Sequence, residues 1–126
     1  MLVEFELRGD ICTLRLQGRF ATGRDTGYLH TKADELKSSG CAKVLVDLAK
    51  VDYIDSTGIG FLIGIYSSVL KIPGGRFALA NLHRRVQEVM DLTRLSEVIP
   101  IYADEPAALA ALQAGGMSTS TASQAR

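Results

Sequence analysis

The chain has 126 residues, 47% of them apolar, enough for one domain with a real core. Its 14 basic and 14 acidic side chains cancel, and the adjacent Arg84 and Arg85 are followed by Glu88 and Asp91, so no basic stripe exists to attract nucleic acid or an acidic membrane face. No apolar run approaches the roughly 20 residues that span a bilayer; Ile59 to Leu70 comes nearest and is broken by Gly60, Gly64, Ser67 and Ser68.

From Leu2 to Leu7 the chain alternates Val3, Phe5, Leu7 against Glu4, Glu6, Arg8, the period of a strand with one wet face. This start lacks the basic-then-apolar layout of a signal peptide. Gly9-Asp10 marks a tight turn, and alternation resumes from Ile11 to Leu16, predicting an antiparallel hairpin whose apolar side could pair with another chain. Gly18 to Gly23 reads as a loop. Asp25 or Thr26 then caps a helix running to about Ser39, with Leu29, Ala33 and Leu36 at helical spacing and Gly40 as its stop. The short β-branched run Lys43 to Leu48 suits a buried central strand.

A helix is predicted from about Thr57 to Leu70, ended by Pro73-Gly74-Gly75. Arg76 to Ala80 is a short strand, Leu82 to Leu92 a helix with Val86, Val89 and Met90 on one face, and Val98 to Tyr102 a last strand. Asp104-Glu105-Pro106 signals a final helix to Gln113. Residues 115–126 are small and polar, and read as a disordered tail to a domain spanning 1–114. The order β-β-α-β-α-β-α-β-α gives an α/β fold, a mainly parallel mixed sheet with an N-terminal antiparallel hairpin and about four helices.

Catalytic chemistry finds no foothold. His30 and His83 read as surface or capping residues, and no serine lies in a G-x-S-x-G elbow. Gly58, Gly60 and Gly64 follow a strand, but neither the dinucleotide spacing nor a P-loop Lys-Ser/Thr is present; they read as sites where the backbone approaches the sheet or a partner closely. Asp47, Asp52 and Asp55 are explained by strand, turn and cap duties rather than by a divalent cation. Cys12 and Cys41 lack metal-ligand or C-x-x-C spacing and lie among apolar residues, so free buried thiols and a reducing cytoplasm are expected. No catalytic residue, cofactor or metal ligand is expected.

Ser56 is the residue that invites a function. It is either the cap of its helix or a first-turn residue behind an Asp55 cap. Gly58 to Ile65 carries no charge and could present a docking patch. A phosphoryl group on Ser56 would lie at the positive end of the helix dipole, where an anion is tolerated, and would add about −1.5 to −2 charge beside Asp55.

"VLVDLAKVDYIDSTGIGFLIGIY", Val44 to Tyr66, with "RFALANLHRRVQEVMDLTRLSEVIPIY", Arg76 to Tyr102, resembles the STAS domain family and its free-standing bacterial members, the anti-sigma factor antagonists. The resemblance extends over about residues 2 to 113 in element order. It implies a partner-switching transcription regulator, cytoplasmic and not an enzyme. Its partner would be an anti-sigma factor that is also a serine kinase of the histidine-kinase-like ATPase fold, which holds the ATP. Ser56 would be the phosphorylated residue, and a serine phosphatase would restore it. The implied partner surface comprises Asp55, Ser56, Thr57, Gly58, Ile59 and Gly60 with Phe20 and Thr22. Where such members carry a Gly-acidic-Leu-Asp sequence, this chain has Gly18-Arg19-Phe20-Ala21, so Ala21 replaces a carboxylate; either Asp25 stands in from the next turn or the position is unfilled. STAS domains also serve as constitutive scaffolds of stress-sensing assemblies or as accessory subunits of lipid or anion transporters, the alternative reading.

Overall fold

A computed structural model describes residues 2–19 and 26–114; the loop holding Phe20, Ala21, Thr22 and Asp25, and the tail 115–126, lie outside the described residues. The hairpin forms as expected, β1 (Leu2–Arg8) antiparallel to β2 (Ile11–Gln17), with Arg8 opposite Ile11 across Gly9-Asp10. Gly9 takes the positive φ of +63° that the two-residue turn needs. Then follow α1 (Thr26–Ser38), β3 (Lys43–Lys50), α2 (Ser56–Leu70), β4 (Arg76–Ala80), α3 (Arg84–Leu92), β5 (Ile101–Tyr102) and α4 (Glu105–Ala114). Gly40, at φ +74°, ends the turn after α1.

The strands lie in the order β1-β2-β3-β4-β5, and every pairing after the hairpin is parallel. Because the chain moves across the sheet in one direction, crossovers of one hand carry α1, α2 and α3 to the same face. On that face Leu36, Leu62, Ile65, Val69, Val86 and Met90 pack against Cys12, Leu14, Leu16, Val44, Val46, Leu48, Phe77 and Leu79. The alternate residues Ile11, Leu45, Ala78 and Ala80 point the other way, to Ala108 and Leu112 of α4. With helices on both sides, β3 is buried on both faces, which is why it reads as a continuous apolar run.

Two expectations change. The last strand shrinks from Val98–Tyr102 to Ile101–Tyr102, preceded by a 3-10 turn at Leu95–Glu97. Pro100 has no amide to donate, although its carbonyl still accepts from Leu79 N at 2.9 Å, and Val98 is exposed. The cysteines are not free thiols: Cys12 and Cys41 form a disulfide. The parallel register sets Cys12 beside Val44, which returns residue 41 to the start of β2 after the α1 excursion. Linear spacing across a helix carries no trace of this approach. Cys12 is buried as expected, at 0% exposure, but as a disulfide the pair gives no support to a reducing compartment.

Candidate functional site

Between β3 and α2 the chain alternates its anchoring. Val51 and Ile54 are buried, whereas Asp52 and Tyr53 between them face solvent. The loop is thereby pinned at both ends and delivers Asp55 to the helix start. Asp55 sits in extended backbone, and its Oδ1 accepts from Thr57 N at 2.9 Å and Gly58 N at 3.4 Å. Of the two capping alternatives the structure adopts the second: Asp55 caps, and Ser56 is the first helical residue. Ser56 is exposed, and its hydroxyl has no hydrogen-bond partner among the described residues.

The helix then has two distinct sides. Gly58, Leu62, Ile65 and Val69 are buried, while Ser56, Gly60, Ile63, Gly64 and Ser67 recur at spacings of three and four along the exposed side. None of the 15 residues of α2 is charged, so this outward side is neutral, with small residues set around the exposed Ile63. The structure also divides the expected surface. Asp55, Ser56, Thr57 and Gly60 have solvent access, Gly58 turns inward, and Ile59 packs partly against the core. The glycines divide likewise: Gly58 is buried, whereas a Cβ on Gly60 or Gly64 would meet nothing within 4 Å. Phe20 and Thr22 lie outside the described residues.

One neighbour escaped the sequence reading. Gly18 N donates to Lys50 O at 3.0 Å, joining the ends of β2 and β3. The Arg19 guanidinium then lies 4.1 Å from the centre of the Tyr53 ring, a cation–π contact beside the Ser56 loop. Nothing in a sequence separation of this size signals it. His83 acts as a cap, its Nδ1 accepting from Arg85 N at 3.2 Å.

The three aspartates considered for a cation do not converge. Asp47 faces α4, where its carboxylate accepts from Ala49 N at 2.8 Å and Asn81 Nδ2 at 3.1 Å. Among the described residues no three His, Cys, Asp or Glu side chains gather as metal ligands. Asp47 instead belongs to a network that fixes α4: Arg15 Nε and Nη2 donate to Glu105 at 2.8 and 2.9 Å, and Arg15 Nη1 donates to Glu6. Burial, and then Glu105 alongside, push the Asp47 carboxyl up, while the Arg15 hydrogen bond holds Glu105 below the usual carboxylate range.

These opposite shifts have opposite linkage. Glu105 stabilises the fold above its unfolded pKa, and that contribution is lost as pH falls. The contribution of Asp47 is full below its unfolded value and is lost as pH rises through its elevated folded pKa. Asp47→Asn is therefore expected to gain in melting point over the wild type as pH rises from acid towards neutral, a trend readable in thermal scans across that range. A variant less stable at every pH would show that the Ala49 and Asn81 hydrogen bonds outweigh the repulsion.

Sheet topology and site together define a helix-on-sheet α/β domain whose distinctive surface is a helix start rather than a cleft. The chain belongs to the STAS domain family, which matches residues 3–108. An anti-sigma F factor antagonist of Paenibacillus polymyxa is 25% identical over 112 residues, 88% of this chain and 94% of that protein. A candidate anti-sigma factor antagonist of Thermotoga neapolitana is 38% identical over 69 residues, so the match spans 55% of this chain and only 60% of that relative. In fold, the chain is similar to the anti-sigma factor antagonist SpoIIAA in its unphosphorylated form, with TM-score 0.74, 17% identity and coverage of 94% of this chain and 100% of that one. The phosphorylated form of Bacillus SpoIIAA aligns at TM-score 0.65 with 18% identity, covering 84% and 96%. Among the described residues no helix is long and apolar enough to cross a membrane.

Proposed function

We propose that this chain is an anti-sigma factor antagonist switched at Ser56. Unmodified, it binds a cytoplasmic anti-sigma factor that is also a serine kinase, and so frees the sigma factor. Phosphorylated by that kinase, it lets go, and a phosphatase resets it. ATP belongs to the kinase, and this chain is its substrate rather than an enzyme. The partner surface comprises Asp55, Ser56, Thr57 and Gly60, with Phe20 and Thr22 from the loop after β2.

The observation that supports this most is the division of labour between neighbours. Asp55 takes the capping bonds, so the Ser56 hydroxyl is spared for chemistry at the head of an uncharged outward face. A phosphoryl group there gains from the helix dipole, so the scaffold tolerates it, while the neutral surface acquires a charge beside Asp55. Relatives named as antagonists support the same reading.

The test is incubation with the cognate anti-sigma kinase and ATP, followed by intact-mass and peptide mass spectrometry. One phosphate is expected, on Ser56, and none on Ser56→Ala. Absence of modification, or its placement on Thr57, would sink the proposal.

A further inference from the structure

We infer that the Cys12–Cys41 bridge is a reversible thiol–disulfide exchange site, opened at Cys41 Sγ by a dithiol and closed by a small-molecule disulfide, that sets how firmly α1 is tied to the sheet. The inference stands apart from the Ser56 reading and uses a different part of the molecule.

Asymmetric access is the first observation. Cys12 is 0% exposed, within the core on the helical face, whereas Cys41 is only partly buried in the connection from α1 to β3. Any approach of a thiolate from solvent is therefore from the Cys41 side. The side chains beside Cys41 carry balanced charge, since Lys43 Nζ lies 3.0 Å from Asp10 Oδ2 and the Asp10 carbonyl lies 3.7 Å from Cys41 Sγ. An incoming anion therefore meets no net negative field from that pair.

Second, the fold has other means of holding this corner. Ser39 Oγ donates to Leu36 O at 2.6 Å and accepts from Cys41 N at 3.2 Å, and Arg76 N donates to Ala42 O at 2.7 Å. A reduced Cys12 would remain a small buried hydrophobe among Leu36, Val44 and their neighbours. Opening the bridge thus changes the tether and leaves the core filled. A bond with one end towards solvent, in a domain that folds around a full core, can be opened without unfolding the domain.

Third, the bridge closes a span of 29 residues that contains the whole of α1, and α1 packs against α2. Cross-linking that span limits how far α1 can open away from the sheet. In the exchange, a reductant thiolate bonds to Cys41 Sγ and the bond to Cys12 breaks. Cys12 leaves as thiolate and takes a proton. The reductant's second thiol then displaces Cys41, which is protonated in turn, and the reductant ends as its own disulfide. Burial of the leaving Cys12 thiolate makes the opening slow, a matter for a dithiol rather than a monothiol.

The test uses the full oxidised chain in native buffer with dithiothreitol, quenched at intervals with iodoacetamide and read by mass spectrometry, alongside thermal melting and hydrogen exchange. Expected are alkylation of both cysteines without denaturant, unchanged circular dichroism, a melting point lower by about 5–10 °C, and faster exchange in α1. Oxidised glutathione should restore the bond and the melting point. Cys41→Ser should melt like the reduced wild type and ignore dithiothreitol. A bond that resists dithiothreitol until the protein is unfolded, or reduction that leaves melting and α1 exchange unchanged, would overturn the inference. None of these readouts needs the partner, so their failure is distinct from failure of the Ser56 switch.

Discussion

Ser56→Asp is expected to fold as the wild type does and to bind the anti-sigma partner at least about 100-fold more weakly. Both halves follow from the first turn of α2. The cap is made by Asp55, not by Ser56, so the substitution removes no capping bond. An acidic side chain at the first helical position gains slightly from the dipole, by about 0.3–1 kcal/mol before the cost of its proximity to Asp55. The partner meets a different surface. The outward side of α2 carries no charge in the wild type, and a docked protein would have to desolvate the new carboxylate or place it against one of its own groups. Ser56→Ala supplies the control, retaining binding and stability within about 0.5 kcal/mol, as expected of an exposed site without bonds. Asp55→Ala does the reverse, costing about 1 kcal/mol of stability through the lost cap. Calorimetric titration of the three variants with the unphosphorylated partner, alongside urea melts, separates these effects. Unchanged affinity for Ser56→Asp would refute an electrostatic switch at this residue.

The ordering of the elements was legible because each was announced by a local pattern. Alternation marks β1 and β2, the β-branched run marks β3, and Gly40 and Asp104-Glu105-Pro106 mark helix ends. Asp104 Oδ1 does cap the last helix, accepting from Ala107 N at 2.9 Å. The features that stayed hidden are those made by contact between distant segments. The Cys12–Cys41 bond depends on the β2–β3 register, and the Arg15–Glu105 pair on how α4 lies across β2. Asp47 reads in sequence only as a strand residue, because its companions, Asn81 and Glu105, arrive from two later elements. At Ser56 the chemistry was local, so the sequence narrowed the site to a cap or the residue behind it. Only the extended backbone of Asp55 decides between them.

Gly75→Ala is expected to be far more damaging than Gly74→Ala, Gly60→Ala or Gly64→Ala. Pro73-Gly74-Gly75 reads as a plain turn, with its two glycines equivalent in sequence. In the fold they differ sharply. Gly74 has φ +75° and open space around it, so an alanine there suffers only the left-handed strain of about 1–2 kcal/mol. A Cβ on Gly75 would lie 1.8 Å from the Val69 carbonyl oxygen, 2.8 Å from its carbon and 2.9 Å from Ile72 O. All three are backbone atoms, two in the last turn of α2 and one in the turn just after it, and no side chain can swing aside to relieve them. The turn would have to move away from α2, straining the bonds from Ile72 N to Val69 O at 3.0 Å and from Gly75 N to Ile72 O at 2.8 Å. It would also drag the start of β4, where Arg76 N is held by Ala42 O. The cost should be about 3–5 kcal/mol, a large part of the total stability of a domain this size. Gly60→Ala and Gly64→Ala should go the other way, each stabilising by about 0.5–1 kcal/mol, because they sit in open helix. Urea midpoints for the four variants provide the comparison. A Gly75→Ala midpoint no lower than that of Gly74→Ala would mean that the turn yields freely, and that β4 is not fastened to α2 through it.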